Sequence, residues 1–147
     1  MIDIVYMRRE HIDQVYQIEL DSFSIPWLRS DFVTELKKDL AIYIVALDNN
    51  EVIGYAGMWH VVNEGHIVNV AVKHERRRQG VGSLLIEKFI QIALEREMIG
   101  LTLEVRMSNA AGQRLYHKYG FVAEGIRRGY YADTGDDAVI MWKYFDS

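Results

Sequence analysis

An apolar run, Ile67-Val68-Asn69-Val70-Ala71-Val72, leads into Arg76-Arg77-Arg78-Gln79-Gly80-Val81-Gly82-Ser83, which leads into Leu84-Leu85-Ile86, Phe89-Ile90 and Ala93-Leu94. The first stretch has the length and composition of a buried strand, and the last repeats apolar residues at helical spacing. A chain written this way must turn from strand to helix through a basic, glycine-bearing loop. At a helix N-terminus the free backbone N–H groups and the positive end of the dipole face outward, and glycine lets the backbone come close to a ligand. That chemistry suits a phosphate, so the loop predicts a phosphorylated cofactor. On these residues alone the alternative is a plain strand-to-helix turn with a solvated basic flank. The loop lacks the Gly-Lys-Ser/Thr of a nucleoside triphosphate site, and it lacks the three-glycine spacing of a dinucleotide fold.

The remaining pattern predicts strands over 2–7, 41–47, 52–62, 67–72, 101–105, 121–128 and 138–144. Helices are expected over 10–20, 28–38, 82–98 and 110–119. Pro26 within Phe23-Ser24-Ile25-Pro26-Trp27 separates the first two helices, because proline disfavours helix in the residue before it. Asp48-Asn49-Asn50 reads as a hairpin turn, Asn63-Glu64-Gly65 as a second turn, Gly100 as a helix stop and 129–137 as a loop. Strands both precede and separate the helices, so the fold class is α/β with a mixed sheet covered by helices. The 147 residues, half of them hydrophobic, suit one domain, 1–147. Neither a bilayer-length apolar run nor a secretory leader is apparent, which points to the cytoplasm and away from membranes. The absence of cysteine excludes disulfides, thiolate metal sites and an acyl-cysteine intermediate. A net charge of −4 argues against a generic nucleic-acid binder.

A second constellation lies further along. In Leu101-Thr102-Leu103-Glu104-Val105-Arg106, strand alternation puts Thr102, Glu104 and Arg106 on the face opposite the three apolar side chains. A carboxylate on a central strand costs free energy unless it is solvated or paired. Desolvation would raise its pKa toward neutrality and suit it to act as a general base, whereas a pair with Arg106 on a wet face would be structural. Ser108-Asn109 can cap the helix that follows, and Tyr116 on that helix reads equally as a core ring with a tethered hydroxyl.

Four separated blocks together resemble the RimI-type branch of the GNAT N-acetyltransferases. They are the loop 77–82, the strand 103–106 with Ser108-Asn109, the Leu115-Tyr116 helix with Gly120-Phe121, and the tail Arg127-Arg128-Gly129-Tyr130-Tyr131-Ala132-Asp133 with Asp137-Ala138. Phe23-Ser24-Ile25-Pro26-Trp27 is similar to the Phe-Pro-Trp block of that branch, with altered spacing, and Ala132 stands where the branch often carries proline. The resemblance implies the GNAT fold, a twisted mixed sheet of about seven strands flanked by about four helices. It implies acetyl-CoA as co-substrate, no metal, and transfer of an acetyl group to the α-amine of a protein N-terminus, with an N-terminal alanine of a ribosomal protein as the expected acceptor.

Residue by residue, the resemblance implies that Val70, Ala71 and Val72 meet the pantetheine arm through main chain where the sheet splays. Arg77, Arg78, Gln79, Gly80, Val81 and Gly82 would hold the pyrophosphate, with Arg76 or His74 near the 3′-phosphate and Asn109 on the arm. Glu104 matches the general base, and Tyr116 matches the general acid at the cofactor. Tyr130 and Tyr131 match the loop that grips the substrate N-terminus. Trp27, Leu28 and Glu64 are candidate walls of the substrate groove. Two other readings keep part of this picture: a GNAT enzyme acting on a lysine or a small-molecule amine, and a non-catalytic acyl-CoA-binding module that needs neither Glu104 nor Tyr116.

Overall fold

In the computed structural model, which describes residues 1–145, the chain forms seven strands and four helices. In chain order these are β1 (Ile2–Tyr6), α1 (Ile12–Ser22), α2 (Arg29–Leu36), β2 (Ala41–Asp48), β3 (Glu51–Val61), β4 (Glu64–Val72), α3 (Val81–Glu95), β5 (Gly100–Arg106), α4 (Ala110–Lys118), β6 (Val122–Arg127) and β7 (Ala138–Tyr144). The strands make one sheet in the order β1-β2-β3-β4-β5-β7-β6. Every neighbouring pair is antiparallel except β4 and β5, which run parallel on either side of the α3 crossover. The sequence-derived order of elements is the order observed.

Local chemistry explains most boundaries. Asn49 and Asn50 both take positive φ, the geometry that joins β2 to β3 through a tight two-residue turn. The Asp31 carboxylate accepts a hydrogen bond from the Leu28 N–H and closes the first turn of α2. Two expectations need correction. Helix α3 stops at Glu95 and the chain reverses at Glu97 (φ 58°), so Gly100 is not its stop; it opens β5, where a side chain would meet the Lys143 carbonyl. Glu64 and Gly65 belong to β4 rather than to a turn, and the reversal before them falls at Val62 (φ 56°).

Each face of the sheet carries a core. Leu85, Ile86, Phe89 and Ile92 of α3 pack on one side with Ile44, Met58 and Leu103. Ile12, Val15 and Ile18 of α1 and Phe32 of α2 pack on the other with Tyr43, Val45 and Tyr55. At about 1.5–3 kcal/mol for each fully buried large side chain, these two layers clamp the sheet between helices.

The sheet opens between β4 and β5. The β4–β5 ladder runs from Glu64↔Gly100 to Ile67↔Leu103 and then ceases. A bulge between Gly57 and Met58 of β3 lets Val68 slip out of register with its partner strand. Bulges bend and twist a strand, and beyond this one β4 and β5 part. The main chain of 68–72 that faces β5 is left without a ladder partner.

Candidate active site

On the α3 side of the parting lies a groove of about 630 Å³. Its floor is Val70, Ala71 and Val72, its far end is the loop at Arg77, Arg78, Gly80, Val81 and Gly82, and its near wall is Asn109 and Tyr116 on α4. Ten of the residues predicted for the cofactor therefore line one groove. Gln79 does not: its amide is turned aside to Arg76 and the Glu75 carbonyl.

Gly80 is the N-cap of α3 at φ +82°, a conformation that strains any side chain even though space is open there. No side chain caps this end and no carboxylate stands in the first turn, so the leading amides remain available to an anion. At Gly82 the fit is tight for a different reason: a Cβ there would sit 3.2 Å from Leu115 Cδ2, which would have to give way. Arg78 holds φ 64° and curls the loop around the groove. The other arginines are more committed. Arg77 Nε donates to the Val72 carbonyl at 3.1 Å, and Arg76 is paired with Asp48 at 2.7 Å. That pair holds the Asp48 carboxyl below its ordinary range and ties Arg76 to β2, while Arg76 still lines the groove; His74 lies beside Arg77. Asn109 caps α4, its Oδ1 accepting from Gly112 N–H at 2.8 Å.

On the opposite face of the parting is a cavity of about 640 Å³ lined by Glu104, Tyr130, Tyr131 and Trp27, together with His66, Thr102, Arg127 and Trp142. The two spaces adjoin along β4, where Val68 lines one and Val70 the other. The alternation read from the sequence holds: Leu101, Leu103 and Val105 are buried and Glu104 faces the cavity. The Glu104 carboxylate is neither dry nor paired with Arg106. It sits 3.5 Å from Arg127 Nε with its side chain 31% exposed. Tyr116 faces the groove, packed edge-on against Phe121. Burial, and then the nearby Tyr131 phenol, push the Tyr116 pKa up, further above neutral pH. Tyr131 is itself pushed up to about 12, chiefly by burial, in spite of the Arg106 guanidinium. Tyr131 lines the cavity that holds Glu104.

The loop that carries the tyrosines is strapped down. Asp133 receives two hydrogen bonds from Arg106 Nη2, at 2.9 and 2.8 Å, and another from Ser24 in the α1–α2 loop. Arg106 lies over the Tyr131 ring with its guanidinium carbon 4.0 Å from the centroid. Trp27 is placed from below: the buried Glu19 accepts from the Trp27 N–H at 2.8 Å and from the Tyr55 hydroxyl. Leu28 and Glu64 are not walls of the cavity. Leu28 is 62% exposed, and Glu64 lies behind His66, which lines the cavity and pairs with it at 3.1 Å. Sequence reasoning missed His66, Thr102, Arg127 and Trp142 as cavity residues. The period-2 pattern could have offered His66 beside Glu64 and Thr102 beside Glu104, but only strand pairing brings Arg127 and Trp142 to the same face.

Residues 12–121 match the acetyltransferase (GNAT) family model. A Bacillus subtilis protein provisionally named a ribosomal protein bS18-alanine N-acetyltransferase is 42% identical over 137 residues, covering 92% of this chain and 91% of its own. The ribosomal protein bS18-alanine N-acetyltransferase of Escherichia coli K12 is 34% identical over 128 residues, 86% of each chain. The crystal structure of the Escherichia coli ribosomal-protein-S18-alanine N-acetyltransferase superposes with a TM-score of 0.92 at 31% identity, over 100% of this chain and 96% of that one.

Proposed function

The chain belongs to the GNAT acetyltransferase family, and from that premise we propose that it transfers the acetyl group of acetyl-CoA to the α-amine of a protein N-terminus, with an N-terminal alanine of a ribosomal protein as its acceptor. The observation that carries this reading is that Glu104 and Tyr116 flank the parting of β4 and β5 from opposite sides, one facing each of two adjoining cavities.

The groove offers phosphates the open amides at the start of α3, with Arg77 and Arg78 beside them, and its length follows the unpaired edge of β4. An amine attacks a thioester only as the free base. An α-amine, with a pKa near 8, holds over two decades more free base at neutral pH than a lysine near 10.4. Glu104, solvated enough to exchange protons, takes the proton as the N–C bond forms. The C–S bond breaks toward the groove side, where the Tyr116 hydroxyl gives its proton to the departing thiolate. Tyr130, Tyr131 and Trp27 hold the first residue of the acceptor and exclude bulk water. Transfer is direct, in a ternary complex, because the chain has no cysteine to carry an acyl group.

The test is acetyl-CoA turnover with short peptides beginning Ala, Ser or Met, an N-terminally blocked peptide, an internal-lysine peptide and spermidine. Turnover confined to free N-termini and led by Ala supports the proposal. Turnover with lysine or spermidine alone moves the acceptor to another amine. Acetyl-CoA binding with no turnover leaves an acyl-CoA-binding module.

A further inference from the structure

Helices α1 and α2 cover β2 to β4, and α3 backs the opposite face, but among the described residues no helix joins a core cluster over β5, β7 and β6 on the Glu104 side. Strand register sets out what this bare face presents. Glu104 lies beside Ile140, Thr102 beside Trp142, and Gly100 beside Tyr144. The Trp142 and Tyr144 rings stack with centroids 5.1 Å apart and planes 1° from parallel. A carboxylate stands on each side of them. Glu124 accepts a hydrogen bond from the Tyr144 hydroxyl at 3.1 Å, and Glu64 opens β4 directly across from Gly100. The hydrogen bond from Tyr144 and the register Glu64–Gly100–Tyr144 set both acids beside that ring; partial desolvation, then the Glu124 hydrogen bond and the two negative charges, raise the Tyr144 pKa. Among the described residues Glu64 pairs only with His66, and Glu124 makes no ion pair. Tyr144 is 54% exposed.

We propose that this stacked Trp142–Tyr144 platform, flanked by Glu64 and Glu124, is a docking site for a cationic side chain of the acceptor polypeptide, several residues beyond its N-terminus. The inference rests on the N-terminal acceptor reading and adds the class of sequence that follows the amine. Two features select the occupant. Aromatic faces with adjacent carboxylates attract a guanidinium or ammonium and repel an acid. The platform is also continuous with the cavity, since Trp142 belongs to both. Distance fixes the position. Glu104 and Gly100 are four residues apart on β5, about 13 Å at strand rise, so an extended peptide with its amine at Glu104 reaches the platform at about its fifth residue.

The experiment compares two octapeptides that share their first three residues and carry either arginine or serine at positions 4–6. Wild-type enzyme is expected to show a KM about tenfold lower for the arginine peptide at low salt, with equal kcat. That preference is expected to disappear in the Glu64→Gln/Glu124→Gln double variant and to fade as salt is added. Equal KM values in the wild type, or a preference that survives both substitutions, overturns the site. Failure of the acceptor reading looks different: neither peptide turns over. The platform is then judged by titrating an N-terminally acetylated arginine peptide and following tryptophan fluorescence. Saturable binding lost in the double variant supports it, and no binding overturns it. A wild-type dimer in sedimentation that Trp142→Ala dissociates would assign the face to a second copy and also overturn the proposal.

Discussion

Glu104 and Tyr116 differ in how their surroundings prepare them. Glu104 stays partly solvated beside Arg127, which suits a group that must pass a proton on to water. Tyr116, a phenol protonated at neutral pH in any case, has its pKa raised further by burial. Replacing Glu104 by Gln is expected to lower kcat by about 100- to 10,000-fold, the span of general base catalysis, with little change in acetyl-CoA affinity by calorimetry. Unchanged kcat at neutral pH would remove Glu104 from the base role. Tyr116→Phe is expected to lower kcat while circular dichroism and thermal midpoint stay near wild type, because the lost hydroxyl makes no side-chain hydrogen bond among the described residues and the ring contact with Phe121 is kept. Full activity in this variant would make Tyr116 a packing residue. The residue types at both positions could be read from strand alternation and helical spacing. The Arg127 partner could not, because it comes from β6, a strand that meets β5 only through β7.

At the scale of elements, the start of α3 and the loop after β6 carry opposite requirements. The first needs a backbone free of side-chain partners, and Gly80 supplies it with a left-handed φ. Gly80→Val puts a β-branched residue at that φ, at a cost of about 1–3 kcal/mol of strain unless the loop moves. Acetyl-CoA KM is therefore expected to rise by at least tenfold, and an unchanged value would show that the loop amides do not hold the phosphates. The β6–β7 loop needs the reverse, many fixed partners, and takes them from Arg106 and Ser24 through Asp133. Those partners hold the Asp133 carboxyl below its ordinary range, the Ser24 hydroxyl first and the Arg106 guanidinium next. Asp133→Asn is expected to raise peptide KM several-fold while acetyl-CoA KM stays put; a change confined to acetyl-CoA would disconnect this strap from the acceptor side.

Across the whole molecule, the sheet is the frame and its single parallel pair is the place where it is allowed to open. Its stability should carry one pH signature in the mildly acidic range. His11 is buried, and that burial lowers its pKa below the ordinary 6.5 while its Nδ1 accepts from the Arg8 N–H. The unfolded chain then binds a proton that the folded chain refuses. The contribution is whole above about pH 6.5 and is lost as pH falls below it. Urea midpoints are expected to decline from pH 7 to 5.5, and His11→Asn, which keeps an acceptor there, should flatten that decline; an equal slope in both proteins would assign it elsewhere.

By itself the sequence determined the elements, their order and the glycine-bearing turn into α3, because periodicity, hairpin asparagines and a left-handed glycine are local signals that act within a few residues. The family resemblance, not local pattern, marked Glu104, Tyr116 and the paired tyrosines as candidates. Only the tertiary structure decided which charges meet. Arg106 turned from its strand neighbour Glu104 to Asp133, 27 residues on, and Arg76 turned to Asp48, 28 residues back. It also decided which face of the parting each catalytic candidate occupies and where the parting begins. The physical reason is register. One bulged residue in β4 resets the alternation of every side chain after it, and a pairing between distant strands places groups that no local spacing brings together.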